Sequence, residues 1–156
     1  MGSGLRVALA GGLLVAAIGA VATPADATVP GAAAKVRAAM VQERRALRAL
    51  SQAAESGRGS YTRPLAHANA AVSDLLAVQS AFATAARETG LFPHIASMQR
   101  LLDSAIAGGS DAAQGLSHAL WLIDHGAPAG STALSQARGD LRQALAASTA
   151  LAKLLR

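Results

Sequence analysis

Four histidines, a lone tryptophan and a set of aligned arginines are the residues of this sequence whose types best suit chemistry. A metal site on helices needs ligands three or four residues apart, because that spacing puts them on one face. No two of His67, His94, His118 and His125 have it. His118 and His125 are seven apart, about 10 Å along a helix axis. No Glu stands three residues before a His, so the di-iron carboxylate pattern is missing. A haem held by Met and His from different helices needs no fixed spacing. Met40 and Met98 fall on core stripes and read as core filler, while no histidine points plainly inward. The sequence has no cysteine, which excludes thiolate zinc sites, thiol nucleophiles and disulfides. No Gly-x-Ser-x-Gly elbow occurs, and the side chains of Ser117 and His118 diverge on a helix. The acidic residues are scattered and form no dyad in sequence. The expectation is therefore a non-catalytic protein with no metal and no other cofactor. Two alternatives stay open: a haem- or metal-binding bundle, and a small enzyme of unrecognised type.

Two patterns rise above this. Trp121 lies about 130° round from the Leu116, Leu120 and Ile123 stripe, beside His118 and His125. A simple bundle would expose that face, so Trp121, His118 and His125, with Leu122 at their edge, form a candidate partner contact. Arg37, Arg44 and Arg48 share a second stripe, and Arg138, Arg142, Lys153 and Arg156 a third. Arg58 and Arg63 flank Tyr61 in a loop. A basic stripe is ordinarily a solvated helix face. Here it is also a candidate contact for an anionic partner, with Arg37, Arg44, Arg48, Arg138 and Arg142 as its principal residues.

The elements that position these residues are helices. Ala supplies 41 of the 156 residues, 52% of the chain is hydrophobic, and no segment alternates with period two. One helix is expected over about 31–55, with Val36, Met40, Leu47, Leu50 and Ala54 on its apolar face. A second is expected over 64–89, opened by Pro64, with the stripe Leu65, Ala68, Val72, Leu75, Gln79, Phe82, Ala86. A third spans 94–125, with Ile95, Met98, Leu102 and Ile106 before Gly108-Gly109-Ser110 and Leu116, Leu120 and Ile123 after it. Two interior glycines cost a helix about 2 kcal/mol relative to Ala, so a kink or break is expected near 108–110. The fourth covers 131–155, capped by Ser131 or Thr132. Its stripe is Leu134, Ala137, Leu141, Ala144, Leu145, Ser148, Leu151, Leu155, with the Ser148 hydroxyl expected to bond back to the Ala144 carbonyl. Four amphipathic helices on short connections hide their stripes against one another. The expected fold is all-α, an antiparallel up-down-up-down four-helix bundle forming one domain over 28–156.

Residues 1–27 differ in kind. One arginine, a 16-residue uncharged apolar run over Val7–Ala22, and small residues at Ala25 and Ala27 follow in order. This resembles a bacterial secretory signal peptide, which implies cleavage after Ala27 and a periplasmic or extracellular protein. Neither a lipobox cysteine nor a twin-arginine pair is present. The longest uncharged runs within the later periodic segments are 12 residues, too short to span a membrane.

Cleavage would remove Arg6 and Asp26 and leave the formal charge at +5. An exported basic protein could meet phospholipid, lipopolysaccharide, teichoic acid or another acidic polymer, or another protein. Nucleic acid is not expected, because export separates them and basic residues are not interleaved with aromatics. The expected role is binding or scaffolding in the cell envelope or outside the cell. The basic stripes of the first and fourth helices must either converge on a shared groove or diverge to opposite flanks. Repulsion between like charges favours divergence.

Overall fold

A computed structural model describes residues 28–56, 60–85 and 95–156. The signal-like segment 1–27, Arg58, His94 and the end of the second stripe at Ala86 lie outside these residues. Four helices and no strand occur among the described residues: α1 (Val29–Ser56), α2 (Thr62–Ala85), α3 (Ile95–Asp124) and α4 (Ser131–Leu154). The fold is an all-α helical bundle.

Local chemistry sets the helix ends. The Thr28 hydroxyl accepts a 3.1 Å bond from the Gly31 amide, satisfying one of the free donors that open α1. Pro30 and Pro64 occupy first turns, where a missing N–H removes nothing. Just past the end of α3 stands Gly126, whose φ of 75° suits glycine. There Gly126 N bonds to Ile123 O and Ala127 N to Leu122 O, the paired closure of a Schellman motif. The N-cap of α4 is Gly130, without a side-chain bond, and not Ser131 or Thr132.

Neighbouring helices touch in a ring: α1 with α2, α2 with α3, α3 with α4, and α4 back to α1. The α3/α4 interface is the largest of these and α1/α4 the smallest. Polar pairs mark the seams. Lys35 pairs with Asp74 and Gln42 with His67 across α1/α2. Gln79 reaches Asp103 across α2/α3.

Of the kink or break expected near 108–110, the break does not occur: α3 runs 30 residues through Gly108 and Gly109. Both glycines are buried, and both serve close approach. A Cβ on Gly108 would stand 2.9 Å from the Asp140 carbonyl oxygen and 3.2 Å from the Ala144 nitrogen of α4. On Gly109 it would stand 2.8 Å from Cγ2 of Val72 on α2. The helix-propensity cost is offset by packing that any larger residue would block.

The core is divided in two. One apolar cluster gathers Val36, Ala39, Leu75, Phe82, Met98, Leu102 and Leu151, with Met40 packed beside it. The other gathers Ala46, Leu50, Ala68, Ala112, Leu116 and Leu141. Between them α1 places Glu43, α3 places Gly108 and Gly109, and α4 places Ala144.

Candidate functional site

Each helix face can be assigned from its bonded neighbours. On α1, Lys35 and Gln42 mark the side toward α2, and Glu43 marks the side toward α4. Successive residues turn about 100°. Moving round α1 from Glu43, away from α2, the surface passes Leu47 and Met40 and then reaches Arg44, Arg37 and Arg48. On α4, Asp140 and Ala144 mark the side toward α3, and Ser148 marks the side toward α1. Moving from Ser148, away from α3, the surface passes Leu141, Ala152 and Leu145. It then reaches Arg138 and Arg156, with Arg142 and Lys153 farther round. Each basic stripe lies on the flank of its helix turned toward the other.

The stripes therefore converge on the α1/α4 seam, and the expected divergence is corrected. Repulsion fails to separate them because all except Arg138 have exposed side chains, and water and salt screen exposed charges beyond roughly 10 Å. Bundle handedness, which repulsion between exposed charges is too weak to set, decides the outcome.

Little opposes these seven cations, Arg37, Arg44, Arg48, Arg138, Arg142, Lys153 and Arg156. Asp140 is the sole acidic residue of α4, and it faces α3. On α1 the same flank carries Glu55, two turns beyond Arg48. Among the described residues no seam cation forms a salt bridge. Arg48 Nε donates only to the Arg44 carbonyl, at 3.4 Å. Arg138 is half-buried, and its Nε is shut off from solvent without a hydrogen-bond partner among the described residues. Val41 stands exposed amid the basic face of α1.

Trp121 is 54% exposed near the end of α3. His118 stacks on it at 6.1 Å between ring centres, and His125 lies at 4.2 Å on its other side. His125 Nδ1 lies 2.8 Å from the Trp121 carbonyl oxygen, so that nitrogen donates and fixes the ring. Leu122, half-buried, borders the trio. The structure thus brings His118, Trp121 and His125 together. It keeps them apart from the basic seam, on the side of α3 that faces α4.

A groove of about 860 Å³ runs from His118 and Trp121 along α3/α4 over Gly115 and Ala137. Its far end holds Asp111 and Asp140. The Asp140 carboxyl is raised above its ordinary pKa by burial first and then by the Asp111 charge.

Sequence reasoning missed Glu43. This residue is fully buried, and its Oε1 accepts a 2.9 Å hydrogen bond from the Ser148 hydroxyl. The expected bond from Ser148 to Ala144 is thereby corrected: the serine bonds across the bundle. Its own helix could offer a carbonyl that was already bonded, whereas Glu43 offered a charge-capable acceptor otherwise stranded in the core. Oε2 of Glu43 has no partner among the described residues. Burial pushes the carboxyl up to about 7, against partial relief from Ser148 and Arg44. The signal was a skip: the stripe of α1 jumps seven residues from Met40 to Leu47, and position 43 is the missing member.

The remaining candidates have ordinary places. His67 Nδ1 lies 2.9 Å from Gln42 Oε1, Met98 is buried, and Tyr61 is buried beside exposed Arg63. Among the described residues no three His, Asp or Glu side chains gather as metal ligands, and no helix is long and apolar enough to cross a membrane. No protein-family model matches this chain, and neither a curated protein nor a solved structure matches it.

Proposed function

We propose that the chain is exported, loses residues 1–27, and works as a non-catalytic bundle that docks through its α1/α4 seam on an anionic, phosphate-bearing surface of the cell envelope. The bundle in this reading is antiparallel, up-down-up-down. The opposed numbering of paired residues supports that arrangement: Lys35 with Asp74 but Gln42 with His67, and Gly108 against Ala144 but Gly115 against Ala137.

The observation that carries the proposal is the convergence of both basic stripes on one seam. Gathering unpaired cations along one line has no structural return, since exposed like charges only repel. Arginine supplies six of the seven, and its planar fork suits phosphate oxygens. Exposed Val41 within the same face favours a lipid surface over a soluble polymer.

The test is binding of the exported protein to vesicles rich in an anionic phospholipid, titrated with salt. Affinity should fall steeply between low and physiological ionic strength and vanish on zwitterionic vesicles. Tighter binding to soluble polyphosphate than to vesicles would move the partner from lipid to polymer. Salt-insensitive binding would reject the seam and favour the second reading, in which exposed Trp121 and its histidines are the partner contact. An intact mass beginning at Thr28 checks export processing.

A further inference from the structure

The α1/α4 seam carries more than its surface charge. Inward from the arginines of α1, past Met40 and Leu47, the only contact between buried polar side chains in the described bundle, Glu43 with Ser148, joins α1 to α4. It does so across the smallest of the four helix interfaces, with Glu43 between the two apolar clusters and Ser148 at the edge of the first. Apolar residues of both clusters flank this contact on α1 and α4, and seven cations stand along the outer face of the seam.

Resting on the proposed anion-binding reading, we infer that Glu43 and Ser148 form a proton-controlled latch under the basic seam. With Glu43 neutral, α1 stays closed on α4 and the two stripes present one surface to lipid phosphate. With Glu43 ionised, a buried negative charge loosens the seam and competes with the bound phosphates.

The geometry supplies each step. Oε1 accepts from Ser148, but Oε2 is shut off from solvent and meets no donor among the described residues. A carboxylate so placed keeps one oxygen without hydrogen bonds, whereas a neutral acid carries no buried charge. Burial accordingly holds the group at about 7, well above the ordinary carboxylate range.

The surroundings leave Glu43 as the titrating group. On α1, Arg44 acts on it, and Arg37 and Arg48 lie outward on the seam. On α4 it meets Ser148, with Arg142 and Lys153 on the outer flank. On α3 the same level is Gly108 and Gly109, which cannot titrate. On α2 the nearest ionisable side chains, His67 and Asp74, are engaged with Gln42 and Lys35 on the other side of α1.

Linkage fixes the sign. An anion on the seam disfavours ionisation of Glu43, so protonation must strengthen anion binding by the same factor. A unit charge roughly 8–10 Å from bound phosphate, at intermediate dielectric, sets that factor at about three- to ten-fold.

The experiment measures two things in wild type, Glu43→Gln and Ser148→Ala, from pH 5.5 to 8.5. The first is affinity for anionic phospholipid vesicles. The second is hydrogen exchange of α1 and α4 amides without vesicles, corrected for intrinsic rates. Wild type should bind about three- to ten-fold more weakly at the alkaline end, while Glu43→Gln holds the tighter affinity throughout. Ser148→Ala, which removes a bond favouring the carboxylate, should move the transition to higher pH.

Exchange near residues 43 and 148 should accelerate with pH in wild type and not in Glu43→Gln. Identical pH profiles for wild type and Glu43→Gln would overturn the latch. A pH-independent exchange pattern in wild type would overturn it without any variant. Absence of vesicle binding at every pH would instead remove the anion reading, leaving the latch to stand or fall on exchange.

Discussion

The Ser148 hydroxyl donates to Glu43 across the bundle at 2.9 Å, with both side chains at 0% exposure. The pair links α1 and α4 across the smallest of the four helix interfaces and leaves one carboxyl oxygen unpartnered among the described residues. Its consequences for stability follow from the direction of the Glu43 shift.

Burial raises the Glu43 carboxyl in the folded chain to about 7, from an ordinary 4.5. Between these values the folded chain binds more protons than the unfolded chain, so this group's contribution falls as pH rises. It is fully present below about pH 4.5 and is lost as pH passes through about 7. The loss amounts to about 3 kcal/mol. Urea unfolding of wild type and Glu43→Gln should give stability curves that cross. Wild type should be the more stable at pH 5 and the less stable at pH 8.5. Parallel curves would mean that Glu43 does not titrate in this range.

The glycines of α3 should respond differently to the same substitution. Gly108→Ala forces a Cβ against the Asp140 carbonyl and the Ala144 nitrogen, both backbone, and should destabilise by about 1–3 kcal/mol. Gly109→Ala meets only the Val72 side chain, so Val72→Ala should rescue it in part. Gly115→Ala, with Ala137 Cβ at an ordinary 3.5 Å, should stabilise by up to about 1 kcal/mol. Thermal unfolding of the three variants checks the order. A stabilising Gly108→Ala would contradict the close α3/α4 approach.

The helical design was legible in the sequence because large apolar residues recur with helical period and glycine and proline punctuate them. Less visible was anything that needed two helices at once. Gly108 and Gly109 read as a break by propensity alone, and only the approach of Asp140 and Val72 shows what they permit. Glu43 was hidden by its type, since an ionisable residue is assumed to face water. The skip between Met40 and Leu47 and the polar interruption at Ser148 are two halves of one feature, each explained locally when taken apart. In the same way, each arginine stripe was readable, but the side on which it meets its neighbour was not, because no single helix encodes bundle handedness.

Trp121 and the core leucines should separate cleanly on truncation. Leu75 and Leu141 are fully buried, so each change to Ala should cost about 2–4 kcal/mol. Trp121→Ala should cost roughly 1 kcal/mol or less, since the ring is 54% exposed and packs on two exposed histidines. Trp121 fluorescence should be emitted near the wavelength of the free amino acid and be quenched by acrylamide. Blue-shifted, quencher-resistant emission from the monomer would place the ring in the protein interior and contradict its exposure.

The central claim is that the α1/α4 seam, and not net charge, binds the envelope anion. The most direct measurement compares two double variants of equal charge on the same anionic vesicles at low salt. Arg44→Gln with Arg48→Gln removes two cations from the seam, and Arg63→Gln with Arg100→Gln removes two exposed cations from α2 and α3. About 1 kcal/mol per seam cation predicts a loss of roughly 30-fold for the first pair and little change for the second. Equal losses for both pairs would show that binding follows total charge, and the seam would have no special part in it.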